Sequence, residues 1–313
     1  MIIFNRYNTE RITMLVSIII LIVFPILLFF LVKYIQTPVL KPYNNPKYFV
    51  KKILPALNQD KKIVLCLGDS ITHGLVSGNY VEILNNKHQN DHFQFINGGI
   101  NSDLTWNVLQ RIDIALRCQP DYVTILIGTN DCDGAFSPKV AKRQRREKHI
   151  PQNPTMEWFQ SNLTELIHII QNYTNPKTGQ PPKIGIFSIP TIGEIPDEDA
   201  YLIAAKYVEA IKTIAKQANV TYFPLFETMH DILTKTDVPQ KYHYPDINKL
   251  LLMNIFKRIL FRRSLNSISA QHGFSLHPDY LHLNDQAAQI IIDNIEGFIS
   301  GFSGKSDRSV NSH

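Results

Sequence analysis

The stretch IVLCLGDSITHG runs from Ile63 to Gly74 and joins an apolar pentad to a short polar turn. A continuous apolar run of this length, followed by glycine, is typical of a buried strand in a parallel sheet. The turn would then lie at the carboxyl end of the strand, the edge of an open α/β sheet where ligands bind. A tight turn there can expose one side chain above the sheet, and Ser70 is placed to be that side chain.

Strand-like and helix-like segments alternate along the rest of the chain. Predicted strands span 63–67, 93–97, 122–127, 184–189 and 220–223, and predicted helices span 79–86, 104–118, 156–173, 198–218 and 284–300. This alternation predicts an α/β fold with a parallel sheet covered by helices on both faces.

The amino-terminal region predicts a membrane anchor. No charged residue occurs between Arg11 and Lys33, a span of 21 mostly apolar positions, and about 20 such residues cross the hydrocarbon core of a bilayer as a helix. We therefore expect a head at 1–11, a single transmembrane helix at 12–33 and a proline-rich linker at 34–60. Lysines and arginines flank the span on both sides, so the side of the membrane that holds the remaining chain stays open.

The main domain is predicted over 61–301, with a polar tail at 302–313. Two segments interrupt its alternation, near 133–154 and near 237–263. The first contains six lysines and arginines and is predicted to be a solvated insertion. Within the second, Leu252, Ile255, Phe256, Ile259 and Leu260 share one face of a predicted basic amphipathic helix over 249–263. That helix is interpreted either as a packed surface helix or as a lid lying on lipid.

Composition excludes several function classes. The net charge of +5 is modest, and no nucleic-acid recognition motif accompanies it, so no nucleic-acid partner is expected. The three cysteines and the histidines lack the spacing of metal ligands. Neither a metal nor another cofactor is expected, and the oligomeric state is left open.

A serine hydroxyl becomes a nucleophile only when a base removes its proton and an acid orients that base. The run DYLH, from Asp279 to His282, supplies a carboxylate and an imidazole three residues apart. The loops NGGINSD, from Asn97 to Asp103, and GTND, from Gly128 to Asp131, follow two further predicted strands. In a parallel sheet both loops reach the edge that carries Ser70, where they could supply donors for an oxyanion.

These four motifs, in this order over about 63–299, resemble the GDSL or SGNH hydrolases, esterases and lipases with a flavodoxin-like three-layer α/β/α sandwich. The resemblance implies that Ser70 is the nucleophile, with Asp279 and His282 as acid and base. It also implies oxyanion donors in the Asn130 side chain and the backbone N–H groups of Ser70 and Ser102. Ser102 departs from the family pattern, which has glycine there.

The Gly-x-Ser-x-Gly motif of another hydrolase fold is absent because Thr72 occupies the position of its second glycine. The sequence thus predicts a membrane-anchored serine ester hydrolase that forms an acyl-enzyme. The alternative is a catalytically silent module of the same fold that binds an acylated glycan or a lipid at the membrane. The expected substrate is a small-molecule, lipid or glycan ester, with ester or thioester cleavage and the acyl length left open.

Overall fold

Five parallel strands form the centre of the structure, a computed structural model that describes residues 42, 44–58, 60–236, 244 and 247–306. The strands are β1 (Lys62–Gly68), β2 (Phe93–Gly99), β3 (Tyr122–Leu126), β4 (Lys183–Phe187) and β5 (Thr221–Phe223). Their order across the sheet is β2-β1-β3-β4-β5, the flavodoxin-like order of doubly wound α/β folds. The predicted parallel α/β sheet is confirmed.

The central strands are buried on both faces. Every residue of β1 after Lys62 is buried, and so is every residue of β3. Helices cover both sides of such a sheet, so its strands are apolar throughout and do not alternate with polar residues. This is the reason that the run of apolar residues at 63–67 predicted β1 correctly.

Helices account for most of the remaining described residues. The elements α1 to α7 are Pro46–Tyr48, Ser70–His73, Tyr80–Lys87, Thr105–Gln110, Ile112–Leu116, Thr129–Phe136 and Pro138–Glu147. The elements α8 to α13 are Met156–Asn172, Asp199–Gln217, Leu225–Leu233, Ile247–Phe261, Leu265–His272 and Asp285–Ser306. Helix α13 contacts α3 and α10, whereas α8 contacts α4 and α9. Two sets of neighbouring helices are what a doubly wound sheet requires, one set for each face.

Helix α8 illustrates how local sequence produces these elements. The Thr155 side chain accepts a hydrogen bond from the backbone N–H of Trp158 at 3.2 Å and so caps the first turn. Phe159, Leu163, Leu166 and Ile170 are completely buried and recur every three or four residues. That spacing puts them on one side of the helix, which faces the sheet.

The predicted helix over 104–118 is divided into α4 and α5. Arg111 lies between them with φ −118° and ψ 10°, which is outside the helical region. Its guanidinium donates to the carbonyl oxygen of Gly68 at 3.1 Å. The helix is thus interrupted at a residue whose side chain contacts a distant strand, and helical periodicity alone does not reveal such a contact.

The predicted head at 1–11, the transmembrane helix at 12–33 and the first part of the linker lie outside the described residues. In the part that is described, no helix has the length and apolarity that crossing a bilayer requires. The second part of the predicted linker is ordered differently from our expectation. It forms α1, a π turn at Phe49–Ile53 and a 3-10 turn at Leu54–Ala56, and Phe49 is completely buried in the core.

The two predicted insertions also differ from expectation. The basic segment 133–154 contains α7, whose Ala141 and Gln144 are buried, so it is not merely solvated. In α11, Leu252 is 70% exposed, although the sequence pattern placed it on the apolar face of the helix. Leu250 and Asn254 are buried instead. The Asn254 Nδ2 group donates to the carbonyl of Pro278 at 2.7 Å, which gives this buried donor a partner.

The expectation for the rest of α11 falls on residues that the structure does not describe in full. The side chains of Phe256, Ile259 and Leu260, like residues 237–243, 245–246 and 307–313, lie outside the described set. Helix α13 continues past its predicted end at Ser300 to Ser306. No proline occurs in this stretch to stop it.

Candidate active site

Ser70 lies at the point where the chain leaves β1, the strand beside the switch in strand order. It is the first residue of α2, and the Asp69 carboxylate caps this helix by accepting from the Ile71 N–H at 2.9 Å. A side chain at Gly68 would place its Cβ 2.6 Å from the Leu126 carbonyl oxygen, so only glycine permits this close turn. Local sequence therefore fixes the Ser70 hydroxyl at the carboxyl edge of the sheet.

The structure brings Ser70, His282 and Asp279 together from opposite ends of the chain. Nε2 of His282 lies 2.9 Å from the Ser70 hydroxyl oxygen. Nδ1 of His282 lies 2.9 Å from Oδ2 of Asp279. Because a carboxylate only accepts, Nδ1 carries the ring proton, and the neutral ring presents Nε2 to the serine as an acceptor. This arrangement can take a proton from the Ser70 hydroxyl.

The Asp279 carboxylate is held as an anion. Its Oδ1 accepts backbone hydrogen bonds from Leu281 at 2.9 Å and His282 at 2.8 Å. Burial alone would raise its pKa, but the charge and ring N–H of His282, together with these backbone donors, outweigh burial and lower the pKa of Asp279. A charged Asp279 keeps the His282 ring in one orientation and one tautomer.

The pKa of the His282 imidazole is shifted in the opposite direction. Burial alone would lower its pKa, but the charge and hydrogen bond of Asp279 raise the pKa of His282 above its ordinary value, with further contributions from Asp69 and Asp133. A raised pKa makes the ring a better proton acceptor. It also means that more of the ring is protonated, and unable to act as a base, just above pH 6.5.

Asn130 lies next to Asp69 at the start of α6. The preceding Gly128 has φ 122°, a backbone conformation that favours glycine. Nδ2 of Asn130 donates to the carbonyl of Asp103 at 3.1 Å and to Oδ2 of Asp69 at 3.3 Å. The side-chain amide of Asn130 therefore lies between the loop after β2 and the turn after β1.

Ser102 lies in the loop between β2 and α4 and is exposed. Its φ is 59°, in the left-handed region where glycine is favoured. Within the part of the chain that the structure describes, the Ser102 N–H has no hydrogen-bond acceptor. No hydrogen bond joins Ser102 to Ser70 or Asn130 in that part; its neighbour Asp103 makes the link to Asn130.

These loops are supported by two further residues, whose role the sequence did not indicate. Gln144, on α7, is 3% exposed and donates to the backbone carbonyl of Asn130 at 2.7 Å. Lys148, just after α7, contacts Asp103 at 2.6 Å. The sequence signal was present as the charged segment 133–154, but its spacing alone did not connect it with the site.

A group of buried carboxylates surrounds the site. Burial, only partly offset by hydrogen bonds, raises the pKa of Asp69 and the pKa of Asp131 to about 7 each. Burial also raises the pKa of Asp133, against hydrogen bonding from Tyr244 and the charges of Arg143 and His282. Among the described residues, no group of three or more histidine, cysteine, aspartate or glutamate side chains could hold a metal ion.

Most of the chain matches one known protein family. The sequence model of the GDSL-like Lipase/Acylhydrolase family matches residues 66–290. No curated protein sequence matches this chain.

Solved structures share the fold at low sequence identity. The acetyl xylan esterase AlAXEase has a TM-score of 0.51 and 17% identity, covering 76% of this chain and 99% of that chain. The acetylxylan esterase Axe2 from Geobacillus stearothermophilus has a TM-score of 0.51 and 15% identity, covering 75% and 94%. Because the family match extends over residues 66–290, well over half of the sequence, the chain belongs to the GDSL-like lipase/acylhydrolase family and is a carboxylic ester hydrolase.

Proposed function

We propose that the chain is a membrane-anchored serine ester hydrolase with Ser70, His282 and Asp279 as its catalytic triad. The observation that carries the proposal is the 2.9 Å approach of His282 Nε2 to the Ser70 hydroxyl, with Asp279 on the other ring nitrogen. A serine, a base and an acid in this relationship are the parts that nucleophilic acyl transfer needs.

The reaction would proceed in two halves. His282 takes the hydroxyl proton as Ser70 attacks the ester carbonyl, and a tetrahedral intermediate forms. His282 then returns that proton to the leaving alcohol oxygen, the carbon–oxygen bond to the alcohol breaks, and the acyl group remains on Ser70. Water attacks this acyl-enzyme with His282 again as the base, and the acid product leaves.

The negative oxygen of each intermediate needs preorganised donors. We assign that role to the Asn130 side chain and to the backbone N–H groups of Ser70 and Ser102. Ser70 begins α2, so its N–H has no acceptor within that helix. The Asn130 amide has a long contact with Asp69, 3.3 Å, and an oxyanion would replace this contact more readily than the 3.1 Å bond to Asp103.

The test is turnover of p-nitrophenyl acetate together with labelling by a fluorophosphonate probe, which reacts with activated serines. Ser70→Ala should remove both turnover and labelling, whereas Ser161→Ala, an exposed serine on α8, should retain both. Full activity in Ser70→Ala would refute the assignment. A folded wild-type chain that neither turns over the ester nor reacts with the probe would instead favour the silent binding module.

The membrane anchor is the second part of the proposal and rests on the uncharged span at 12–33. The full chain should remain with membranes after an alkaline carbonate wash and be released by detergent. A variant without residues 1–33 should be recovered in the soluble fraction and still hydrolyse the ester. Release of the full chain by carbonate alone would contradict a transmembrane anchor, and protease protection in sealed vesicles would report which side holds the domain.

The ester substrate is proposed by class. Two proteins of similar fold are named as acetyl xylan esterases, so acetylated polysaccharide is the first substrate to test. A panel of acetyl, butyryl and long-chain esters, with thioesters beside them, would define the acyl group. A preference for long chains that increases at a lipid interface would favour a lipase and a lid role for α11, and would contradict the glycan assignment.

A further inference from the structure

The loop that carries Ser102 has an unusual backbone. A left-handed conformation is available to glycine without steric cost, but a residue with a Cβ is disfavoured there. Ser102 nevertheless has φ 59°. Such a conformation persists only where the surrounding structure imposes it, so the contacts on either side of Ser102 decide whether its N–H is correctly placed.

The Lys148 ammonium contacts both neighbours of Ser102. It donates to the backbone carbonyl of Asn101 at 2.9 Å and lies 2.6 Å from Oδ1 of Asp103. One cation thus bridges the residue before and the residue after the serine. Because the side chain of Lys148 is only 17% exposed, this bridge is better protected from solvent than a surface ion pair.

Lys148 itself is held in place. Its backbone N–H donates to the carbonyl of Gln144, in the last turn of α7, at 2.8 Å. Its carbonyl accepts from the Asn107 side chain at 3.1 Å, and the same side chain accepts from the Leu104 N–H at 3.0 Å. Lys148 is therefore fixed against the helix that follows the Ser102 loop.

Asp103 receives a second cation. Nε of Arg111 lies 2.9 Å from its Oδ2, and the Asp103 side chain is only 4% exposed. Lys148 and Arg111 therefore hold the Asp103 carboxylate from two sides, one cation on each oxygen. A carboxylate fixed in this way holds the backbone that follows Ser102 in one position.

We propose that Lys148 is a positioning residue for the oxyanion donor at Ser102, in place of the conformational freedom that glycine would give. The proposal rests on the proposed function, since it assigns the Ser102 N–H to the oxyanion. It also gives a role to the basic segment 133–154: α7 delivers Lys148 to the loop after β2.

The experiment compares kcat and KM for p-nitrophenyl acetate in the full chain and its Lys148 variants. Lys148→Met should lower kcat about 10- to 100-fold with KM within about twofold, because the donors act on the transition state more than on bound substrate. Lys148→Arg, which keeps the charge and the donors, should recover most of the loss. Lys142→Met, the matched change at an exposed position of α7, should behave as wild type.

Repeating the Lys148→Met change in the Ser102→Gly variant distinguishes a positioning role of Lys148 from a general effect on stability. In Ser102→Gly the loop adopts positive φ without steric cost, so adding Lys148→Met should lower kcat by a smaller factor than it does in wild type. Thermal unfolding of each variant shows whether it is folded at the assay temperature. If Lys148→Met does not fold, Lys148→Gln takes its place, because it removes the charge but can still donate to the Asn101 carbonyl.

The outcomes are distinct. The role of Lys148 would be overturned if wild type is active and Lys148→Met is equally active, or if Lys148→Met changes KM alone. It would also be overturned if Lys148→Met lowers kcat by the same factor in wild type and in Ser102→Gly. A folded wild type without turnover would refute the proposed function itself.

Discussion

Oε1 of Glu194 lies 3.0 Å from Nδ1 of His277, and this pair supports the loop that leads to Asp279 and His282. The same carboxylate accepts the backbone N–H groups of Ser275, Leu276 and His277 at 2.7, 2.7 and 2.9 Å. Nε2 of His277 lies 3.0 Å from the Thr191 carbonyl oxygen. The Glu194 carboxylate, which lies in the segment after β4, thus organises the start of a loop that is 81 to 83 residues further along the chain.

The Glu194 carboxylate is consequently a structural support of the loop that carries Asp279 and His282.

Glu194→Gln should destabilise the fold by about 1–3 kcal/mol, because an amide has one acceptor oxygen where the carboxylate has two, and its NH₂ group would face backbone donors. Chemical denaturation at pH 7 measures this change. Glu165→Gln, an exposed glutamate on α8, is the control and should leave stability unchanged. Equal stability of both variants would show that the loop does not depend on Glu194.

The stabilisation from Glu194 should also depend on pH. Burial would raise its pKa, but the hydrogen bond and charge of His277 and the backbone donors lower the pKa of Glu194 overall. A carboxyl with a lowered folded-state pKa stabilises the fold above its ordinary pKa and loses that contribution as the pH falls through the folded-state value. The difference between wild type and Glu194→Gln should therefore shrink in acid.

Asp279→Asn should change both the rate and its pH dependence. An asparagine cannot hold the same tautomer of His282, and we expect kcat to fall about 10³- to 10⁴-fold. The acid limb of kcat/KM should move to lower pH, because the carboxylate charge that raises the pKa of His282 is gone while burial, which lowers it, remains. Rates between pH 5 and pH 9 measure both effects.

The control for this variant is Asp293→Asn, at an exposed position of α13, which should keep the rate and the pH profile of wild type. In wild type the acid limb should lie above pH 6.5, the ordinary value for histidine. A limb that stays in place in Asp279→Asn would mean that His282 is not the group being titrated.

Asp131→Asn should stabilise the protein above neutral pH. Burial raises the folded-state pKa of Asp131 to about 7, so the folded chain keeps a proton that the unfolded chain loses near pH 4. Stability from this group therefore falls as the pH rises from about 4 to about 7 and is then constant. Asparagine removes the titration and can still accept from the Thr105 N–H, now 3.0 Å from Oδ2.

Melting temperatures at pH 5 and pH 8 test this prediction. The free energy of unfolding of Asp131→Asn minus that of wild type should be larger at pH 8 than at pH 5 by ~1 kcal/mol or more, which corresponds to about 2–4 °C in Tm. An equal difference at the two pH values would indicate that Asp131 is already ionised in the folded chain at pH 5.

Gln144→Ala should lower kcat by about 10-fold, because the backbone of Asn130, the proposed oxyanion donor, loses its 2.7 Å hydrogen bond, and misplaced donors cost transition-state stabilisation. Arg145→Ala, the exposed neighbour on α7, is the control and should retain wild-type kcat. Unchanged kcat in Gln144→Ala would show that α6 holds Asn130 without help from α7.

The sequence by itself determined the sheet and the position of Ser70 at its carboxyl edge. The apolar run at 63–67 has one stable location, between neighbouring strands, because its burial on both faces removes the most apolar surface from water. The turn GDS then follows at the carboxyl edge, and the DYLH run precedes a helix. These are local patterns, with spacings of a few residues, so they can be recognised without knowing the fold.

Only the tertiary structure decided which distant groups support the site. Gln144, Lys148 and Glu194 reach the loops around Ser70 and His282 through hydrogen bonds and ion pairs from other segments, and no periodic pattern marks such contacts. The same reason explains the buried Asn254 and the exposed Leu252 of α11. Burial of a polar residue depends on whether a partner such as the Pro278 carbonyl is present, and that is decided by the folded chain.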